Sequence, residues 1–499
     1  MLNRSRALTS VAVIAMVTGI SAPAWAETLQ EALALAYRTN PSLLAQRANQ
    51  RALDESIVQA RAGLRPTLDV TVSGSYVRSD SPRTSNPVAP GGVDESDSAS
   101  ATIGVGQNIW TGGRVGHAIT AADAQILAGR EDLRDTEQSV LALVIQSYAD
   151  VIRDTEILSI REANLGVLRR QLDEASARFE VGEITRTDVA QSEARLAQSE
   201  ADLANARAQL SVSRAAYAAV VGQSPGDLAP MPVLPGVPTD FDSALDVALI
   251  DNPGIRAAGY SLDAAEANVA AAKAEYLPSL RATATYGGSS EFDRLGDIGD
   301  NTRLTAGATL SVPLFTGGLN SSRVAQALER SNAAQIAVEG ERRNTLQSVS
   351  SAYAQSISAR ATLQAGQEAV RAATVAAEGV RQEAQVGLRT TLDVLNQELE
   401  LRSAQVTLAS AQRNEYVAQA NLLAAMGRLE GADLVPAIET YDPAANYNRI
   451  RNRGGLPWDG VLETIDRVAA PPIVPATDVE DAPIDAQLKS EVVQTAPRN

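Results

Sequence analysis

Four stretches of the chain alternate apolar and polar residues with a period of two, in two pairs. Leu68, Val70 and Val72 alternate with Asp69, Thr71 and Ser73, and Ala101, Ile103 and Val105 with Thr102, Gly104 and Gly106. In the second pair, Leu280, Ala282, Ala284 and Tyr286 are set against Arg281, Thr283 and Thr285, and Leu304, Ala306, Ala308, Leu310 and Val312 against Arg303, Thr305, Gly307, Thr309 and Ser311. Such alternation predicts strands with one apolar and one polar face. Each reaches the roughly 9 to 11 residues of a bilayer-crossing β-strand. Polar loops, 77–99 and 287–301, join the strands within each pair.

The remainder reads as helix. Residues 27–64 and 241–276, rich in Ala, Leu, Glu and Gln, run up to Pro66 and Pro278, which cannot continue a helix. Behind each strand pair stand much longer stretches, 114–180 and 319–384. At 1.5 Å per residue each would span roughly 100 Å. Short breaks at Val181-Gly182 and Val386-Gly387 precede further helices, 186–221 and 390–426. The first of these carries two seams. Alanines at 190, 194, 197, 201, 204, 208, 215 and 218 form one, and Val189, Leu196, Leu203, Leu210 and Tyr217 the other. The second seam recurs as Val394, Leu401, Leu408 and Leu422, with Glu415 the exception. Small residues at heptad spacing allow close helix approach. Two seams call for a neighbour on each side, met by a compact bundle or by a closed tube. The strands favour the tube: bacterial single-chain barrels begin at about 8 strands, and open sheet edges are not tolerated in lipid. Several copies must pool their strands.

The pattern is stated twice. Asn40-Pro41 returns as Asn252-Pro253 and Pro66 as Pro278, both 212 residues later. Thr111-Gly112-Gly113 returns as Thr316-Gly317-Gly318, Tyr148 as Tyr353, Asp188-Val189 as Asp393-Val394 and Gly222 as Gly427, all 205 later. The single slip between Pro66 and Thr111 belongs in the polar loops, where insertions are tolerated. A period this long is a duplicated domain. The expected organisation is a signal peptide over 1–26, a first repeat over 27–224, a proline-rich linker over 225–240, a second repeat over 241–429 and an extension over 430–499 whose last 30 or so residues are disordered.

The N-terminus supports export: Arg4 and Arg6 precede the apolar Val11–Ile20, and Ala24-Trp25-Ala26 is a cleavage signature, so the mature chain is expected to begin at Glu27. No other run is long and apolar enough for a membrane helix. There is no cysteine, hence no disulfide or acylated cysteine, and the one histidine, His117, speaks against triads and zinc sites. A net charge of −17 disfavours nucleic acid. Gly222-Gln223-Ser224-Pro225-Gly226 fits a nucleophile elbow in letters only, since it follows a helix and a proline follows the serine. No catalytic, metal or cofactor residues are expected.

These marks together resemble the TolC family of outer-membrane efflux proteins from about 28 to 430: the two Asn-Pro pairs, the exit Pro313-Leu314-Phe315-Thr316-Gly317-Gly318, and the breaks at 181–189 and 386–394. The resemblance implies a mainly α fold with a transmembrane β-barrel part. Each chain would add four strands to a shared 12-stranded barrel in a homotrimer, set on a long coiled-coil tunnel. It implies an exit duct in the outer membrane that docks to a periplasmic adaptor (membrane fusion) protein and an inner-membrane pump of ABC or RND type. The segment Tyr441-Asp442-Pro443 to Tyr447 is similar to the type I secretion branch. Gly112, Gly113, Gly317 and Gly318 let the chain turn out of the sheet. Gly182 and Gly387 suit helix ends, and Thr185-x-x-Asp188 and Thr390-x-x-Asp393 suit capping boxes. The family implies more for these turns: an adaptor-contact tip at Val181, Gly182, Val386 and Gly387, and a gate in which Asp393 lines the closed aperture while Asp188 and Arg389 link neighbouring coils. A second acidic position three residues on is Asn396 here, so a double acidic ring is not expected. The alternative is a soluble periplasmic coiled-coil adaptor or scaffold with a small β domain; an outer-membrane hydrolase ranks below both.

Overall fold

The structure is a computed structural model that describes residues 26–80, 92–435, 438 and 440–476. The signal segment through Trp25 and the tail from 477 lie outside the described residues. The first repeat comprises α1 (Leu29–Thr39), α2 (Pro41–Ala62), β1 (Thr67–Asp80), β2 (Val93–Trp110), α3 (Arg114–Glu180) and α4 (Arg186–Val221). The second mirrors it with α5 (Phe241–Asp251), α6 (Pro253–Ala274), β3 (Ser279–Ser290), β4 (Thr302–Ser311), α7 (Leu319–Gln385) and α8 (Thr391–Ala425). Both long helices have 67 residues, as the breaks in the sequence predict.

Two expectations need correction. The stretch 27–64 is two helices, and so is 241–276. Asn40 and Asn252 each cap the second helix, accepting from Ser42 and Leu43 N–H or from Gly254 and Ile255 N–H, with proline at the first helical position. Each Asn amide also donates backward, to the carbonyl of Val220 at 3.0 Å or Ala425 at 3.1 Å, at the end of its own repeat's last helix. The Asn-Pro pair is thus a kink and a latch in one. The first hairpin is also longer than the alternation suggests, with pairing continuing to Asp80↔Val93. Beyond Val72 the cross-strand contacts become hydroxyl pairs, Ser73–Ser100 at 2.8 Å and Ser75–Ser98 at 2.9 Å, which the apolar pattern does not register.

The four strands form one antiparallel sheet in the order β1-β2-β3-β4. Its register aligns the apolar positions: Val70 stands opposite Ile103, Ile103 opposite Tyr286, and Tyr286 opposite Leu304. The opposite face is polar. There Asp69 leans over Gly104 and Arg281 over Gly106, where a Cβ would collide with the guanidinium. A bulge between Asn108 and Trp110 shifts the phase by one residue. It moves Trp110 from the polar face to the apolar one, opposite Leu280.

Below the sheet the helices continue the same order. Near the strands the neighbours run α2-α3-α6-α7, and farther down α4-α3-α8-α7. The apolar core lies where α1, the middle of α3, the ends of α4 and α8 and the linker meet, around the fully buried Tyr148 and Tyr217. Tyr148 donates to the carbonyl of Ala229 at 2.7 Å, and Tyr353 in the second repeat to that of Thr239 at 3.3 Å. Each tyrosine holds the chain that leads into or past its repeat. Replacing Asn40 with Ala is expected to lower stability by about 1–2 kcal/mol, read as a lowered unfolding midpoint of the detergent-solubilised protein, whereas Asn49→Ala on the exposed side of α2 leaves it unchanged.

Candidate functional site

The two turns at the far end of the helix pairs share one construction. At the end of α3, Gly182 N–H donates to Phe179 O and Glu183 N–H to Arg178 O, both at 2.9 Å; at the end of α7, Gly387 N–H donates to Ala384 O at 3.1 Å and Leu388 N–H to Glu383 O at 2.9 Å. This is the Schellman pattern, with Gly182 at φ 78° and Gly387 at φ 79°. Three residues after each glycine, a capping box opens the next helix. Asp188 accepts from Thr185 N–H at 2.9 Å, and Asp393 from Thr390 N–H at 3.0 Å. Each threonine hydroxyl donates to the same carboxylate at 2.8 Å. The turns present Val181, Val386 and Leu388 to solvent, each more than two-thirds exposed.

The turns differ in charge. In the first, Arg178 in the last helical turn pairs with Glu183 at 3.2 Å, a cation where the helix dipole favours one. In the second, Glu383 takes the position of Arg178, and Arg389 in the turn pairs with it at 2.7 Å. Arg389 therefore neutralises an acid that the helix end disfavours, and this bond raises its own pKa. The bonds from Thr390, backbone first and then side chain, hold the Asp393 carboxyl below the ordinary aspartate range. Within one chain Asp188 and Arg389 are not brought together; each is engaged in its own turn. The direct bond between the two hairpins near the tip is Arg195 to Asn396 Oδ1 at 3.2 Å. A groove of about 460 Å³ between α3 and α7 is lined by Arg170, Arg178, Arg381 and Arg389.

The sequence reading did not single out Glu398. It is buried beside Arg381 and Arg402, and an acid amid Leu395 and Leu401 at helical spacing was its only signal. At the strand exits, Gly112, Gly113, Gly317 and Gly318 all take positive φ, from 60° to 88°, and Gly113 and Gly318 open α3 and α7 without a side-chain cap of their own. Gly222, at φ 95°, ends α4, so the serine pattern there is a helix terminus. His117 is half-buried beside Asp466 and Arg467, and burial lowers its pKa.

The extension beyond 430 is more ordered than its fading pattern suggests. It forms α9 (Gly431–Leu434), α10 (Pro443–Ile450) and α11 (Asp459–Asp466) and runs as a strap along the first repeat. Arg47 is held between the rings of Tyr37 and Tyr441, at 4.4 and 4.9 Å. Tyr447 donates to Asp123 at 2.7 Å, and Arg65 pairs with Asp459 at 2.9 Å. Fully buried Asp466 accepts from the Thr111 hydroxyl at 2.7 Å and from Gly116 N–H at 3.1 Å, capping α3 from 350 residues away. Residues 470–476, expected to be disordered, also pack, with Ala476 N–H on Glu266 at 3.0 Å. Side-chain partners, rather than apolar periodicity, fix this segment.

No described helix is long and apolar enough to cross a membrane. What the geometry defines is a wall segment of a channel: a sheet with one apolar face, continued by paired helices that end in twin turns. The comparisons agree. The chain matches the outer membrane efflux protein family over residues 32–223 and 244–428, and it belongs to that family. It is 34% identical over 440 residues to the outer membrane efflux protein BepC of Brucella suis, covering 88% of this chain and 92% of that one. It is 29% identical to the outer membrane protein TolC of Vibrio cholerae, over 83% of this chain and 94% of the other. The fold is that of the Campylobacter jejuni CmeC outer membrane channel, with a TM-score of 0.72 at 16% identity, over 85% of this chain and 89% of that one. The protein is an outer-membrane member of the TolC family whose helices stand in the periplasm.

Alanine at Gly182 or Gly387 meets no atom within 4 Å, so its cost is purely conformational, about 1–2 kcal/mol for the left-handed region. The expected outcome is faster tryptic cleavage at the tip with an unchanged helical circular-dichroism signal.

Proposed function

We propose that this protein is the passive exit duct of a tripartite efflux or type I secretion system, closed into a tube by three copies and gated at its twin periplasmic turns. The role of exit duct for efflux or secretion comes with the family, and TolC-family channels work with a periplasmic adaptor and an inner-membrane pump. That membership sets aside the soluble adaptor. The relatives are channels rather than enzymes, and the reading assigns no chemistry to this chain.

The observation that carries closure by several copies is the open edge on each side of the wall. Among the described residues β1 and β4 each pair with one strand, and in the lower tier α4 packs chiefly on α3, touching α8 only near the tip, and α7 packs on α8. On α4 the Leu203 and Tyr217 seam is buried against its own chain, while the alanine seam at 190, 194, 197, 201, 204 and 208 stays exposed. On α8, which lies between α7 and α3, both sides are occupied. A second copy whose α7 meets the α4 alanines and whose β4 meets β1 uses both open edges at once. Three such copies of a four-stranded sheet give the 12-stranded barrel of the family resemblance.

In that assembly the Asp393 carboxylates form a ring at the narrow end. Within each turn the Thr390 bonds favour the ionised carboxylate, the other carboxylates of the ring oppose it, and the charge that remains favours cations in the aperture. The turn residues Val181, Gly182, Val386 and Gly387 form the surface for the adaptor, and opening separates contacts made by Asp188 and Arg389 with neighbouring coils. Because Asp393 is also a capping residue, alanine tests two roles together. Asparagine keeps an acceptor for Thr390 and removes the charge. In planar bilayers Asp393→Asn is expected to abolish divalent-cation block while leaving the fold intact; unchanged block removes Asp393 from the aperture. Native mass spectrometry of the detergent-solubilised protein is expected to show a trimer, and a monomer would end the shared-barrel reading.

A further inference from the structure

The repeats part company at the strand exits. Trp110 in the first repeat corresponds to Phe315 in the second, both just before the Thr-Gly-Gly turn. Leu314 and Phe315 are 92% and 91% exposed. Trp110 is half-buried instead: its ring N–H donates to the carbonyl of Val468 in the strap at 3.0 Å. The bulge has placed this ring on the apolar face of the sheet, so the strap crosses the first repeat on the side that faces lipid in the proposed barrel.

What the strap hides, it replaces. Leu462 and Asp466 point inward from α11 and are buried. Trp458, Val461, Ile465 and Val468, spaced by 3, 4 and 3 residues, fall on another face and are all exposed, at 47%, 60%, 38% and 62%. The charged residues Asp459, Glu463 and Arg467 occupy the remaining arc. Arg451 and Arg467, before and after α11, are exposed cations in a chain of net charge −17. A short helix with an apolar stripe, an aromatic at one end and flanking arginines has the make-up of one that lies in the membrane interface.

We propose that α11 and its flanks form an interfacial anchor, with Trp458, Val461, Ile465 and Val468 seated in the periplasmic leaflet of the outer membrane and Arg451 and Arg467 at its phosphates. The occupant is a phospholipid surface because the stripe is continuous, through Trp110 and Val468, with the apolar face of the sheet. This rests on the barrel reading above. The anchor belongs to the first repeat alone, so a trimer carries it at alternate strand exits, between the bare Phe315 sites.

The chain has three tryptophans, Trp25, Trp110 and Trp458, and Trp25 lies in the signal segment. In the exported protein the difference in emission between the parent and Trp458→Phe therefore isolates Trp458 and leaves the Trp110 bond in place. The protein is reconstituted into vesicles of phosphatidylcholine with brominated acyl chains. The Trp458 emission is expected to be roughly halved relative to unbrominated vesicles and to resist aqueous iodide. Emission open to iodide and untouched by bromolipid overturns the anchor in favour of a water-facing strap. Emission shielded from both overturns it in favour of cover by a second copy. Leu304→Trp in the Trp458→Phe background reports the barrel separately: quenching there without quenching at Trp458 defeats the anchor alone, and quenching at neither site defeats the barrel reading as well.

Discussion

The backbone edges of β1 and β4 are the constraint on which the other features turn. An unpaired N–H or carbonyl costs little in water and several kcal/mol in hydrocarbon. The sheet has an apolar face made for hydrocarbon and two edges that hydrocarbon forbids. A chain with both properties is unfinished by itself. The helical tiers have the same incompleteness in milder form, because their open sides stand in water and cost only unburied apolar surface. Alanine suits such a side: it hides little when exposed, yet allows close contact once a neighbour arrives.

Duplication explains how a wall segment is built from one folding unit. α3 is common to both helical tiers, touching α2, α4, α6 and α8, so the first repeat lays down a surface on which the second assembles. Polar clamps hold the seam. Arg134 reaches Glu430 at 2.6 Å and the carbonyls of Asp251 and Gly427 at 3.0 and 2.9 Å, and Arg413 spans to Asp150 at 2.9 Å. Away from the Tyr148 and Tyr217 core the apolar clusters are smaller, Ile57, Val115, Ile119 and Ile126 near the strands and Ala373, Ala377 and Leu401 toward the tip. The gating proposed above asks helices to part at the tip while staying together elsewhere, and the larger Tyr148 and Tyr217 core would be the fixed level.

Repeated local signals were the legible ones. The strands showed their alternation, α3 and α7 their unbroken length, and the tip turns their Gly-x-x-Thr-x-x-Asp spacing, because each is fixed by residues close in sequence. Three features lacked such a signal. The Asn40 latch depends on Val220, 180 residues away. The bulge before Trp110 is a matter of register, and a reading of one strand alone puts that ring on the wrong face. The strap is held by Asp466, Tyr447 and Arg65 through partners hundreds of residues distant, so its short helices look like fading pattern. Of the candidate gate, the capping geometry was legible and the competition for each charge was not. Arg389 is answered by Glu383 and Asp393 by Thr390 before any neighbouring chain is considered.

That competition sets the character of the proposed gate. Links between coils drawn from groups already bonded within their own turns exchange one partner for another, so closing gains only the difference between two charge-assisted bonds. Exposed pairs of this kind contribute little, because water screens both charges. In the proposed trimer a threefold ring would multiply a small difference without making it large, which would leave the closed state within reach of the binding energy of an adaptor. The proposed opening would leave the fold undisturbed, because the Schellman turns and capping boxes are closed by bonds internal to each turn. Each turn is closed by its own bonds, so the opening proposed above would change how the helices lie against one another rather than the turns themselves.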